Sequence, residues 1–277
     1  MLSARSFLVR GLLAGLFAGI AAFLVAYVVG EPSLNAGIAL ESAPAEQSAR
    51  GQQTQTHSHG PEDGAAAGHT HAGDSEAGAA VVPRSLQSTA GLLTGTVVAG
   101  VTLGGLVGVL SALALGRFGT LGPRSTALML AAFGFVAIYL IPTLAYPPSP
   151  PSVGSGATIG YRTALYFILV AISVIALVVS VLVGRRLAVR WGGWYATLAA
   201  AAGYLLVTLT AISLLPTFDE VPEAFPAVLL YEFRRASLVI QLTLWAVLGV
   251  ALAELTGRLT DRATGLAPTR PAPLAVP

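Results

Sequence analysis

Residues 162–183 read RTALYFILVAISVIALVVSVLV and residues 194–215 read WYATLAAAAGYLLVTLTAISLL, with GRRLAVRWGG, residues 184–193, between them. Each of the two apolar runs is 22 residues long. As helix, each would measure about 33 Å, close to the roughly 30 Å thickness of a bilayer's hydrocarbon core. Arg185, Arg186 and Arg190 lie between the runs, and charges of that kind are expensive at membrane depth, so the stretch is two spans and not one. The same length test finds spans at 8–29, 92–115, 125–146 and 236–256. None of the six alternates with a period of two, which argues against a β-barrel. The predicted fold is an all-α, polytopic membrane helix bundle of about six transmembrane helices.

The composition agrees. Only 10% of the 277 residues are charged and 55% are hydrophobic, against roughly 25% charged in an ordinary soluble chain. All 15 basic residues are Arg, so the chain has no Lys for a phosphate-binding loop or for a pyridoxal phosphate Schiff base. The absence of Cys removes disulfides, thiolate nucleophiles and iron–sulfur ligands. A net charge of +2 gives no basic surface for nucleic acid.

The first run, 8–29, continues unbroken to Val28-Val-Gly-Glu-Pro32. It is too long for a signal peptide's apolar region, and it reads as a retained helix. With the N-terminus cytoplasmic, the inner segments hold ten Arg and two acids, and the outer segments hold five Arg and eleven acids. The positive-inside rule therefore places both termini in the cytoplasm of a multi-pass protein of the cytoplasmic membrane. Residues 1–257 form a single membrane domain, and residues 258–277 read as a disordered cytoplasmic tail.

The outer segment between the first two spans is long, and its middle, 41–78, is rich in Ala, Gly, Gln, Ser and Glu. Such a composition cannot bury enough apolar surface to offset the ordering of its backbone, so this loop is expected to be disordered. All four His of the protein fall in it, as His57-Ser-His59 and His69-Thr-His71. Two His one residue apart point to the same side of an extended segment. Two such pairs offer four imidazoles to one divalent ion, a donor set that suits zinc, copper, nickel and cobalt without choosing among them, and Glu62, Asp63 and Asp74 add oxygen ligands nearby. Ordering a flexible loop around an ion costs free energy, so the binding would be weak and exchangeable. The bland alternative is a polar spacer in which the His are incidental. No resident cofactor is expected beyond a transported or transiently bound divalent metal.

Within the spans, Gly11, Gly15 and Gly19 recur at four-residue spacing, as do Gly91 with Gly95 and Gly100 with Gly104 and Gly108. That spacing lines one helix face and suits close helix packing. No His or Asp lies inside a span. The polar candidates for an ion path or mouth are Glu31, Asp219, Glu220, Glu223, Glu232, Gln241 and Glu254. For each, an interfacial anchor or a hydrogen bond between helices is the structural alternative. Pro142, Pro216, Pro222 and Pro226 bound or kink helices. An intramembrane hydrolase would need His or paired Asp at depth, so no enzyme is expected.

Several stretches together resemble a known family: Leu8-Val-Arg-Gly-Leu-Leu-Ala-Gly-Leu-Phe-Ala-Gly19, Tyr27-Val-Val-Gly-Glu-Pro32, Arg84-Ser-Leu-Gln-Ser-Thr-Ala-Gly91, Tyr146-Pro-Pro-Ser-Pro-Pro-Ser-Val-Gly154, Ile159-Gly-Tyr-Arg-Thr-Ala-Leu-Tyr166 and Leu215-Pro-Thr-Phe-Asp-Glu-Val-Pro-Glu-Ala-Phe-Pro226. They resemble the CbtA family of cobalt transporter subunits, from the N-terminus to about residue 257. The resemblance implies cobalt uptake associated with cobalamin biosynthesis and a small single-span, His-rich partner of the CbtB kind. It also implies five spans, against the six read here, and it brings no catalytic residues. The expected function is the membrane subunit of a divalent-metal uptake system, with the His loop collecting the ion. The alternative is a membrane scaffold or metal-sensing subunit that forms no path. Neither binds nucleotide, so inward movement would draw on a partner or on the membrane potential. A potential of 100 mV supplies about 4.6 kcal/mol for a divalent cation.

Overall fold

The computed structural model describes residues 4–42, 83–117 and 121–263, and among these every regular element is helical. The first helix, α1, runs Ala4–Ser42. Then come α2 at Arg84–Ala114 and α3 at Pro123–Ala145. A continuous helical assignment, Ile159–Leu214, follows, and the last helix, α6, runs Ala227–Ala263. By length and apolar composition five helices can cross a membrane.

The stretch Ile159–Leu214 is folded back on itself. A straight helix of its 56 residues would be about 84 Å long, nearly three bilayer cores. Its backbone breaks at Gly192, where φ is 78° and ψ is 160°, a conformation open essentially only to Gly. Beyond the break the chain returns alongside itself. The Ser173 and Tyr204 hydroxyls are 2.8 Å apart, and a methyl placed on Gly184 would lie 2.9 Å from the Ala200 methyl. Residues 159–191 and 193–214 are therefore two antiparallel helices, α4 and α5. The five helices and the six spans are the same chain counted before and after this break.

α1 is central and packs against α2 on one face and α6 on the other. Against α2 it presents Gly11, Gly15 and Gly19, which meet Gly108, Gly104, Gly100 and Thr96 in antiparallel order. The backbones touch there: a methyl on Gly104 would lie 2.6 Å from the Gly15 Cα, and one on Gly19 would lie 2.7 Å from the Thr96 carbonyl oxygen. Gly91 and Gly95 lie outside this contact, and Gly95 has no neighbour within 4 Å of a would-be methyl. The reason is rotation. From Gly95 to Gly100 is a five-residue step, which turns about 140° at about 100° per residue, so the pair at 91 and 95 faces away from the three glycines at 100, 104 and 108. On its other face α1 places Ala14, Ala18 and Ala22, all fully buried, in the cluster that holds Leu244, Trp245, Leu248 and Leu252 of α6.

α3 packs on α6, where Trp245 lies over Gly134 and Ala131 over Gly249. The α4–α5 pair joins at the far side of α3, through Ile141, Ala176 and Tyr204. Three helices contain a single π turn: Ala26–Gly30 in α1, Gln87–Gly91 in α2 and Phe135–Leu140 in α3. Two of them lie just before a proline, Pro32 and Pro142. A proline cannot donate to the carbonyl four residues back and its ring crowds that turn, so a widened turn lets the helix run on. Thus α1 extends past residue 29 to Ser42, beyond the start of the loop expected at 41–78. Similarly α6 extends past residue 257 to Ala263, into the tail expected at 258–277. The carbonyl of Ile138, deprived of its donor by Pro142, accepts a hydrogen bond from the Tyr166 hydroxyl at 3.2 Å.

Candidate functional site

The described loops and helix ends of one side come together. At this end Glu31 follows the π turn of α1, is 7% exposed, and accepts a 2.5 Å hydrogen bond from the Arg84 guanidinium at the start of α2. Arg84 also donates to the Asn35 side chain at 3.1 Å. The prolines at 150 and 151 rest on Gly37 of α1, and the Ser152 hydroxyl donates to the Gly37 carbonyl.

Glu220 is the clasp between the two structured loops, 146–158 and 215–226. One of its oxygens accepts from the Thr158 hydroxyl at 2.6 Å, and the other accepts from the Ser155 backbone N–H at 2.7 Å and faces Arg162 at 3.5 Å. The Thr158 and Ser155 donors, with the Arg162 charge, stabilise the carboxylate and lower its pKa below the usual carboxylate value. The Gly154 N–H donates to the Glu220 backbone carbonyl at 3.3 Å, and the Tyr146 hydroxyl donates to the Pro216 carbonyl at 2.9 Å. Gly154 has φ of 105° and lies directly under the Arg162 guanidinium, where a side chain would not fit.

Behind the clasp is a cavity of about 310 Å³, lined among others by Tyr146, Arg162, Tyr166, Phe218, Glu220 and Arg234. The Nε atoms of Arg162 and Arg234 are buried without a hydrogen-bond partner. Each Nε is enclosed, while the rest of each side chain is partly exposed, so what the cavity can present to a ligand is the outer edge of each guanidinium.

The remaining sequence candidates are dispersed. Asp219 and Glu223 are exposed on the 215–226 loop. Glu232 is exposed and lines a separate crevice with Val28, Pro32, Ser33 and Arg235. Gln241 is half-buried on α6, and among the described residues it has no hydrogen-bond partner. Glu254 is at the opposite end of the bundle, 3.6 Å from Arg124 and 3.7 Å from Arg258. That end also holds the Arg10 contact to the Leu255 carbonyl and the Arg124 contact to Asp261. His57, His59, His69 and His71 lie outside the described residues. Among the described residues no three His, Cys, Asp or Glu side chains are grouped to hold a metal ion.

Among the described residues, the buried hydroxyls of the helix interiors are paired. The buried hydroxyls of Ser111, Thr126, Thr208 and Thr256 each donate to the carbonyl four residues back, at 2.7–3.0 Å. This is the usual way a helix satisfies a hydroxyl away from water. Neither cavity arginine is singled out as a binding residue by the sequence, where Arg234 and Arg235 stand beside Glu232 before the sixth span and Arg162 opens the fourth. A signal for them exists: they are outer-side arginines, against the inward bias of the rest.

A polytopic helical membrane protein with an ion-paired polar cap at one end is thus the class that fold and site define. The family model for CbtA, described as "Probable cobalt transporter subunit", matches residues 4–257. The chain belongs to the CbtA family, and so to cobalt transport across a membrane as one subunit of a transporter. No curated protein and no solved structure matches the chain.

Proposed function

We propose that this chain is the membrane subunit of a divalent-metal uptake system, with cobalt as its cargo, in which His57, His59, His69 and His71 collect the ion on the outer face. The observation that carries this reading is the family match over nearly the whole chain. Two features support the part given to the His. The described helices and loops hold no grouped metal-binding side chains, and the buried or half-buried acids of the outer cap, Glu31 and Glu220, are bound to Arg84 and Arg162. The four His, joined to the acidic end of α1, supply neutral imidazole donors where those acids do not. Cobalt, or nickel or zinc in its place, is cargo and not a resident cofactor. The chain itself catalyses no reaction in this reading. A small single-span, His-rich partner of the CbtB kind would complete the transporter within the bilayer.

The test is cobalt flux into vesicles holding the purified chain, with and without that partner. Flux above empty vesicles, lowered by replacing all four His with Ala, is the expected result. A membrane scaffold or metal-sensing subunit is the second reading, favoured by the back-bonded hydroxyls and paired acids of the helices. It predicts cobalt binding without flux in the same vesicles.

A further inference from the structure

From the cavity behind the Glu220 clasp we infer a binding site for a small organic carboxylate, held by Arg162 and Arg234. The cavity is lined by the first turns of α4, by the two loops, and by Arg234, two turns into α6. Its charged lining is two guanidinium groups and one carboxylate, a surplus of one positive charge. Glu220 is already engaged by Thr158, Ser155 and Arg162, so it leaves Arg234 unneutralised. Arg234 has no hydrogen-bond or ion-pair partner among the described residues, and its Nε is buried together with that of Arg162.

A guanidinium edge fits the planar fork of a carboxylate. The single surplus charge favours a monoanion, because a dianionic phosphate would also meet the Glu220 carboxylate. The other walls suit an organic body. Phe218 packs against Tyr146 and Tyr161, with ring centroids 6.3 and 5.9 Å apart. The Tyr146 and Tyr166 hydroxyls are committed to the Pro216 and Ile138 carbonyls, so these side chains offer rings and not free donors. The size of about 310 Å³ lies at the small end of ligand pockets. Metal coordination is not what this cavity offers, since its one carboxylate is engaged.

The test is calorimetric titration of the purified full chain in lipid nanodiscs with benzoate, its neutral isostere benzamide, and inorganic phosphate. Saturable benzoate binding is expected, at least tenfold tighter than either benzamide or phosphate. Arg234→Gln should weaken it tenfold or more, and Arg235→Gln, outside this cavity, should leave it unchanged. Arg234 makes no hydrogen bond or ion pair among the described residues, and circular dichroism melting of each variant checks that it remains folded. Absence of saturable benzoate binding to the folded wild-type chain overturns the assignment. So does equal binding of benzamide, tighter binding of phosphate, or indifference of folded Arg234→Gln. No cobalt is present in the titration, so its outcome is separate from that of the flux measurement.

Discussion

Glu220 carries the first consequence at the level of single residues. Its folded-state pKa is depressed by the Thr158 hydroxyl, the Ser155 N–H and Arg162, in that order. A depressed carboxylate contributes stability that is present above its unfolded value and lost as pH falls through the folded one. The tie between the 146–158 and 215–226 loops should therefore hold at neutral pH and loosen only below the ordinary carboxylate range. Tyr146 lies tilted and Tyr161 edge-on against Phe218 across that tie, so fluorescence from the cap against pH reports it, and Glu220→Gln should flatten the acid transition. The Glu31–Arg84 pair makes a different prediction, because one partner is buried and the other is 36% exposed. Arg84→Ala strands a buried carboxylate and should cost about 1–3 kcal/mol in unfolding experiments in detergent. The double change Glu31→Ala with Arg84→Ala should cost less than the two single changes together. Neither pair was legible in the sequence. Glu31 and Arg84 are 53 positions apart and Thr158 and Glu220 are 62 apart, and no local pattern couples such positions.

Among the elements, what the sequence declared was whatever has a fixed period or a fixed length. The spans were legible because about 20 apolar residues have few other uses, and the α4–α5 break was legible because Arg185, Arg186 and Arg190 do not belong inside a bilayer. The ends of α1 were not, since Glu31-Pro32 reads as a stop and the π turn that lets the helix pass is invisible in the residues around it. The glycine stripe divides in the same way. Gly104→Ala would drive a methyl into the α1 backbone and should destabilise by about 1–3 kcal/mol, whereas Gly95→Ala meets nothing and should be neutral or stabilise by up to about 1 kcal/mol through helix propensity. Opposite signs from the same substitution on one helix, read in thermal unfolding, would confirm which glycines carry the α1–α2 contact. Gly192→Ala has open space around it and should still cost about 1–3 kcal/mol, because the penalty lies in its backbone angles. Loss of stability with α2 and α1 still cross-linkable would locate the damage in the α4–α5 turn.

At the scale of the whole molecule, the count of spans decides where the C-terminus lies. Five crossings put the ends of the chain on opposite sides, and six put them together. Three observations give six. The 56-residue stretch turns back at Gly192, Arg10 near the start of α1 donates to the Leu255 carbonyl near the end of α6 at 3.0 Å, and Arg124 at the start of α3 reaches Asp261. Arginine placement then orients the bundle. The end shared by residues 4–10, 121–124, 184–193 and 257–263 is rich in Arg, with Trp191, Trp194 and Tyr195 exposed beside it as expected at a membrane surface. At the opposite end Arg84 pairs with Glu31, Arg162 with Glu220, and Arg234 lines the cavity. A reporter active only outside the cytoplasm should therefore work when fused after Gly73 and fail when fused after Ala263, while a cytoplasm-dependent reporter does the reverse. Activity of the same reporter at both positions would mean that one apolar run does not cross. The α4–α5 pair would then be the first to re-examine, since it is the least buried of the spanning stretches and the one that a single glycine divides.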